Sequence, residues 1–181
     1  MKRALAGLAA GLLTVALATP ATAQARGYVG FGAGVSIPTG DFADGVKTGW
    51  LGQVVAGITG PNGRIGGRID GMYIKHSFDG VDDASDRLLG LNGDLVFTPG
   101  MAESKLRPYL LAGLGLMNAK THVGYLETDG DTKLSFNLGA GFLVRAGARM
   151  SLFVEGRWIS IRTDDATNII PISVGLRFGG Q

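Results

Sequence analysis

The chain has 181 residues, with 17 Lys+Arg against 15 Asp+Glu, 31 Gly, 6 Pro and no Cys. Without cysteine there is no disulfide frame, no thiolate metal site and no cysteine nucleophile. The small basic excess equals the two cations Lys2 and Arg3, so it is no sign of nucleic-acid binding.

Met1-Lys2-Arg3 opens the chain with positive charge, and Ala4 to Ala18 is an uncharged, largely apolar run. Ala21-x-Ala23 and Ala23-x-Ala25 then offer small-residue cleavage points. This is the pattern of a secretory signal peptide. Residues 1–25 are expected to be removed, with cleavage after Ala23 or Ala25. The run is too short for a membrane helix, which needs about 20 apolar residues, and no later stretch reaches that length. Residues 26–181 are left as one domain with balanced charge.

Eight segments of that domain alternate with period two, the mark of a half-buried strand. Tyr28–Ile37 sets Val29, Phe31, Ala33 and Val35 against Gly30, Gly32 and Gly34. Thr48–Thr59 sets Trp50, Val54, Ala56 and Ile58 against Gln53 and Gly57; Arg64–His76 sets Ile65, Ile69 and Tyr73 against Arg68 and Asp70. Arg87–Phe97 sets Leu89, Leu91, Leu95 and Phe97 against Asn92 and Asp94; Leu106–Met117 sets Leu110, Ala112, Leu114 and Leu116 against Gly113 and Gly115. Lys133–Arg145, Met150–Ile161 and the closing run Ile170–Phe178 repeat the pattern, with Arg145, Glu155, Arg157 and Arg177 on the mixed faces.

Connections alternate in length. Pro61-Asn62-Gly63, Pro99–Lys105 and Ala146-Gly147-Ala148 are short; Pro38–Lys47, Ser77–Asp86, Asn118–Thr132 and Arg162–Thr167 are longer and polar. Short turns at one end and longer loops at the other fit an all-β, eight-stranded antiparallel up-and-down transmembrane β-barrel of a bacterial outer membrane. A soluble lipocalin-like barrel has the same period with its apolar face inward. Charge decides the sign: Arg68, Asp70, Asp94, Arg145, Glu155, Arg157 and Arg177 all share the Gly-rich faces. Facing lipid, each Arg would cost about 2–4 kcal/mol near mid-bilayer. The charged faces are therefore expected inside, as a paired network, and the apolar faces against lipid. Trp50, Tyr73 and Trp158 are expected in an outer aromatic belt, with Phe97, Tyr109, Phe142 and Phe178 in an inner one.

Gly30-Phe-Gly-Ala-Gly34, Arg107-Pro-Tyr-Leu-Leu-Ala-Gly-Leu-Gly-Leu116 and Ile172-Ser-Val-Gly-Leu-Arg-Phe178 resemble segments of the small outer-membrane barrel families related to the OmpA transmembrane domain and OmpX. The resemblance covers essentially the whole mature chain. It implies that Ile172, Val174, Leu176 and Phe178 form a C-terminal signal for the barrel-assembly machinery. The chain departs from that pattern by adding Gly179-Gly180-Gln181 after Phe178, and no peptidoglycan-binding domain is expected after the barrel.

Gly30-x-Gly32-x-Gly34 opens no helix and so is no nucleotide loop. His76-Ser77 and His122, with Glu127 or Asp129, contain the residue types of a lipid deacylase but no spacing that identifies one. The longer loops are acidic, with Asp79, Asp82, Asp83 and Asp86 in one, Glu127, Asp129 and Asp131 in another, Asp164 and Asp165 in a third. They match no EF-hand loop. The expectation is a non-catalytic structural or surface-interaction protein without cofactor or nucleic-acid partner. It would contact outer-membrane lipid and take any surface ligand through its acidic loops. A narrow pore, a lipid-A-modifying enzyme and a soluble binder are the rivals.

Overall fold

The computed structural model describes residues 25–44, 46–77, 84–99, 104–123, 126–127, 130–162 and 167–179. The expected signal peptide falls outside them, apart from Ala25. Eight strands make the wall: β1 (Arg26–Thr39), β2 (Gly49–Thr59), β3 (Ile65–Ser77), β4 (Ala84–Phe97), β5 (Leu106–Val123), β6 (Asp131–Arg145), β7 (Met150–Ile161) and β8 (Thr167–Gly179). Each pairs antiparallel with its neighbours in sequence. β8 returns to β1, with Phe31 opposite Leu176 and Val35 opposite Ile172. The sheet is closed, and closure removes the edges that would otherwise expose unpaired backbone groups.

The short ends are built tightly. At the β2–β3 turn the Gly63 N–H donates to Gly60 O at 2.9 Å with Gly63 at φ 66°, a left-handed conformation that a glycine takes without strain. Between β6 and β7, the Ala146 and Gly147 N–H groups both donate to Met150 O at 3.0 Å.

The other end departs from the expected loops. β5 runs on to Val123, with Ala84–Arg87 of β4 paired to Val123–Lys120. A two-residue strand, Leu126–Glu127, folds back on His122 and Val123. Continuing the ladder pairs backbone groups that a loop would leave to water, and β-branched Thr121 and Val123 suit it. Within the connection from β1 to β2, Gly40–Asp44 forms a short 3-10 helix.

The outer wall is apolar: Leu95, Ile65, Val54 and Leu138 are 71%, 65%, 63% and 60% exposed. In water such a surface would be a severe liability; in a bilayer it is the solvated face. Trp50 and Tyr73 meet on it with ring centroids 5.3 Å apart, and Phe31 and Phe178 at 6.1 Å near the opposite end. Tyr109 corrects the expected inner belt. It shares its face with Leu111 and is only 4% exposed, inside the barrel.

Polar and apolar layers fill the lumen. Leu51, Met72, Ile74, Leu88, Met117, Ile159, Ile161 and Ile169 form a cluster toward the long-loop end, with Phe42 of the 3-10 helix against it. Tyr109, Leu111, Leu143 and Phe153, with Val96, form a smaller one toward the short-turn end. Charged residues occupy the layer between.

Candidate functional site: the charged lumen

The middle layer draws on strands from opposite sides of the barrel. Arg68 and Asp70 come from β3, Asp94 from β4, and Glu155 and Arg157 from β7. All five are at most 7% exposed. Glycines on β5 and β6 make the space. A Cβ at Gly113 would run into Asp94 Oδ1, one at Gly115 into Asn92 Oδ1, and one at Gly139 would stand 2.8 Å from Arg157 Cγ.

Glu155 is the hub. Arg68 donates Nη1 to Oε2 at 2.6 Å and Nη2 to Oε1 at 3.1 Å; Arg157 donates Nε to Oε1 at 2.6 Å. The Tyr109 hydroxyl donates to Oε2 at 2.6 Å. Arg68 also reaches Asp94 Oδ2 through Nη2 at 3.3 Å and lies 3.4 Å from Asp70 Oδ1. Arg157 donates Nη2 to Asp70 Oδ1 at 2.7 Å. Its Nη1 stands 3.5 Å from Asp94 Oδ2, within ion-pair reach but without a hydrogen bond.

Neutral amides complete the shell. Asn92 Nδ2 donates to Asp70 Oδ2 at 3.0 Å, and Asn137 Nδ2 to Asp94 Oδ1 at 2.9 Å. Gln53 Nε2 donates to Ser173 Oγ at 2.9 Å, linking β2 to β8. Buried charges survive only when paired and hydrogen-bonded, and this lattice does both. The amides and Tyr109 were not singled out as network members from sequence. Their shared parity with the charged residues was the available signal.

Two residues expected in the network stand elsewhere. Arg145 has the inward parity but ends β6, where the lumen opens. There it lines a depression of about 560 Å³ with Arg26, Lys105 and the 146–148 turn. Arg177 is inside, 9% exposed, and stacks its guanidinium 3.5 Å over the Tyr28 ring while donating to Thr59 Oγ1 at 3.3 Å. A cation–π contact is a reasonable home for a desolvated guanidinium.

His76 and Ser77 point to opposite faces of β3. Alternation puts His76 inside, wholly buried, with a ring nitrogen 3.3 Å from Ser36 O and Phe42 edge-on at 5.9 Å. Ser77 points the other way and is exposed. The His122 and Glu127 side chains and all of Asp129 lie outside the described residues, as do Asp79, Asp82, Asp83, Asp164 and Asp165. Among the described residues no group of three or more His, Asp or Glu side chains is arranged to hold a metal ion. Ile172, Val174 and Phe178 of β8 face outward at 43%, 50% and 38% exposure, with half-buried Leu176 on the same face.

Solved barrels share this architecture. Neisserial surface protein A is 17% identical, with TM-score 0.68 over 84% of this chain and 96% of its own. Ail, the attachment invasion locus protein of Yersinia pestis, is 16% identical, with TM-score 0.55 over 84% and 98%. The N-terminal β-barrel domain of Pseudomonas aeruginosa OprF is 17% identical, with TM-score 0.53 over 87% and 99%. At these identities the likeness is one of fold. No curated protein matches the chain by sequence. A family match, however, spans residues 6–178. With that match, an outward apolar wall and a charged, filled lumen, the chain belongs to the outer membrane protein beta-barrel domain family.

Proposed function

We propose that the protein is a sealed, non-catalytic outer-membrane barrel with a structural and surface-interaction role. The observation that carries this reading is the filled lumen. Beside the network, the cavity lined by Tyr28, Arg68, Tyr109, Phe153 and Arg177 measures only about 20 Å³, room for about one water molecule. Eight strands enclose an interior that side chains just fill, and here two apolar clusters flank five interlocked charges. Contacts with other molecules then fall to the long-loop end, where the acidic connections emerge from a rigid scaffold. Export by the leader at residues 1–25 belongs to this reading, as does recognition of Ile172, Val174, Leu176 and Phe178 by the assembly machinery. The outward alternation of those four residues supports the latter.

Planar-bilayer recording tests it. The purified barrel should add no steady single-channel openings above the background of the bilayer. Reproducible unitary conductance would overturn the sealed reading. Unchanged lipid A masses in expressing cells would be the matching outcome for the non-catalytic part.

A further inference from the structure

The seams between the strands are not all alike. Seven of the eight run pair by pair without a break. The β7–β8 seam pairs Gly156 with Ile172 and then Ile159 with Ile169, passing over Arg157 and Trp158. The register is the same on both sides of the gap, so no bulge absorbs an extra residue. Pro171 accounts for it. This residue stands opposite Arg157 and has no N–H to give to the Arg157 carbonyl. Its pairing with Ser36 of β1 is unbroken, so the nitrogen faces β7.

The other strand prolines interrupt nothing. Pro38 pairs with Ile169 of β8, but the β1–β2 register has already ended at Ser36. Pro108 pairs with Phe142 of β6, and the β4–β5 register ends at Leu110. Each lies past the last pair on one flank, where a missing donor breaks no ladder. Pro171 has a strand on both sides. Prolines in sheets are confined to edges and bulges, and a closed barrel has no edge. In a wall that meets lipid, a carbonyl without its ladder donor is a weak point.

Side chains hold what the backbone leaves open. On the β7 side of the gap, Arg157 donates to Asp70 at 2.7 Å and Glu155 accepts from Arg68 at 2.6 Å, both reaching β3 across the lumen. On the β8 side Ser173, two residues from Pro171, accepts from Gln53 of β2 at 2.9 Å. β2 and β3 are joined by an unbroken seam. Both lips of the gap are thus tied to one continuous stretch of the opposite wall.

We propose that the β7–β8 seam at Pro171 is where the wall opens sideways, with the cross-lumen bonds to β2 and β3 as the clasp that keeps it shut. The sealed reading concerns the long axis of the barrel; this opening faces the bilayer and goes beyond that reading.

Amide hydrogen exchange, followed residue by residue by NMR on the detergent-folded barrel, reads the opening. Ladder bonds alternate between the two flanks of a strand. The Arg157, Ile159 and Ile169 N–H groups therefore point into the β7–β8 seam, that of Trp158 toward β6 and that of Ile172 toward β1. In the wild type the first three should exchange about tenfold faster than Trp158 and Ile172, the ratio that one missing hydrogen bond supplies. Pro171→Ala restores the donor and should remove most of that difference. Asp70→Asn and Gln53→Ala each loosen one lip, and should speed the same three amides further while Trp158 and Ile172 keep their rates. Equal exchange on all flanks in the wild type would overturn the proposal, leaving the gap a rigid local defect. So would a difference that Pro171→Ala leaves intact. Equal acceleration of every seam in Asp70→Asn and Gln53→Ala would refute the clasp, since the bonds would then act on the whole barrel alike. If Asp70→Asn fails to show heat-modifiable mobility, Gln53→Ala decides that point.

Discussion

Glu155→Ala is the most demanding test of the lumen. The substitution removes the acceptor of Arg68 Nη1 at 2.6 Å, of Arg157 Nε at 2.6 Å and of the Tyr109 hydroxyl at 2.6 Å. At an effective dielectric of 20, two unit charges about 4 Å apart attract by about 4 kcal/mol. Deleting one partner of a buried pair costs about 3–5 kcal/mol, chiefly because the survivor stays desolvated. Asp70 and Asp94 remain as second partners of both guanidiniums, so the low end of that range applies here, about 3 kcal/mol. Such a loss lowers the folding equilibrium constant by a factor of about 100. Urea titration of the detergent-folded barrel, followed by heat-modifiable mobility and tryptophan fluorescence, should show the drop. Asp131→Ala, at a solvent-exposed side chain outside the lumen, should leave the midpoint in place. Arg68 is bound to Glu155 by two hydrogen bonds, so Arg68→Ala/Glu155→Ala should cost less than the two single losses together. A Glu155→Ala midpoint equal to that of Asp131→Ala, or strict additivity in the double variant, would refute the network as a stabilising unit.

Tyr109→Phe deletes one hydrogen bond to the hub carboxylate and should cost about 1.5–3 kcal/mol in the same titration; no shift would mean that the hydroxyl is satisfied by water. Gly113→Ala should lose about 1–3 kcal/mol through overpacking, because its Cβ would meet Asp94 Oδ1 and the Gly93 carbonyl. Gly93→Ala, whose Cβ points into open space, should fold as well as the wild type by heat-modifiable mobility. Val174→Arg, on the lipid face and 50% exposed, should reduce assembled barrel more than Leu176→Arg, which lies nearer the interface. Quantified membrane levels check that order, and normal assembly of both variants would contradict an outward β8 face.

Much of this molecule could be read from period-two alternation, since in a closed barrel parity alone assigns a residue to wall or lumen. Arg68 with Asp70, and Glu155 with Arg157, keep company on one parity against the apolar rows, and their burial follows that division. Pairings were another matter. Arg68 meets Glu155 across the lumen, from β3 to β7, and no sheet register encodes a contact between strands that are not neighbours. Height was equally hidden: Arg145 has the correct parity but stands at the mouth of the barrel. Tyr109 shares the parity of Gly113 and Gly115, which points inward, and its place in an aromatic belt was expected only from its position near a strand end. β5 outran its expected end because the polar stretch after Met117 finds a ladder partner in Ala84–Arg87, a long-range match that local composition does not reveal.

The cross-lumen bonds bear on how such a barrel is made. Arg68 and Asp70 stand in the first half of the chain, their partners Glu155 and Arg157 in the second. A bilayer holding only β1 to β4 would present a guanidinium and carboxylates with nothing opposite them. Hydrocarbon is a hostile solvent for unsatisfied polar groups. A half-inserted intermediate is thus penalised by the very groups that lock the finished product. Insertion should proceed as one cooperative event, or behind a shield that covers the open side until β8 meets β1.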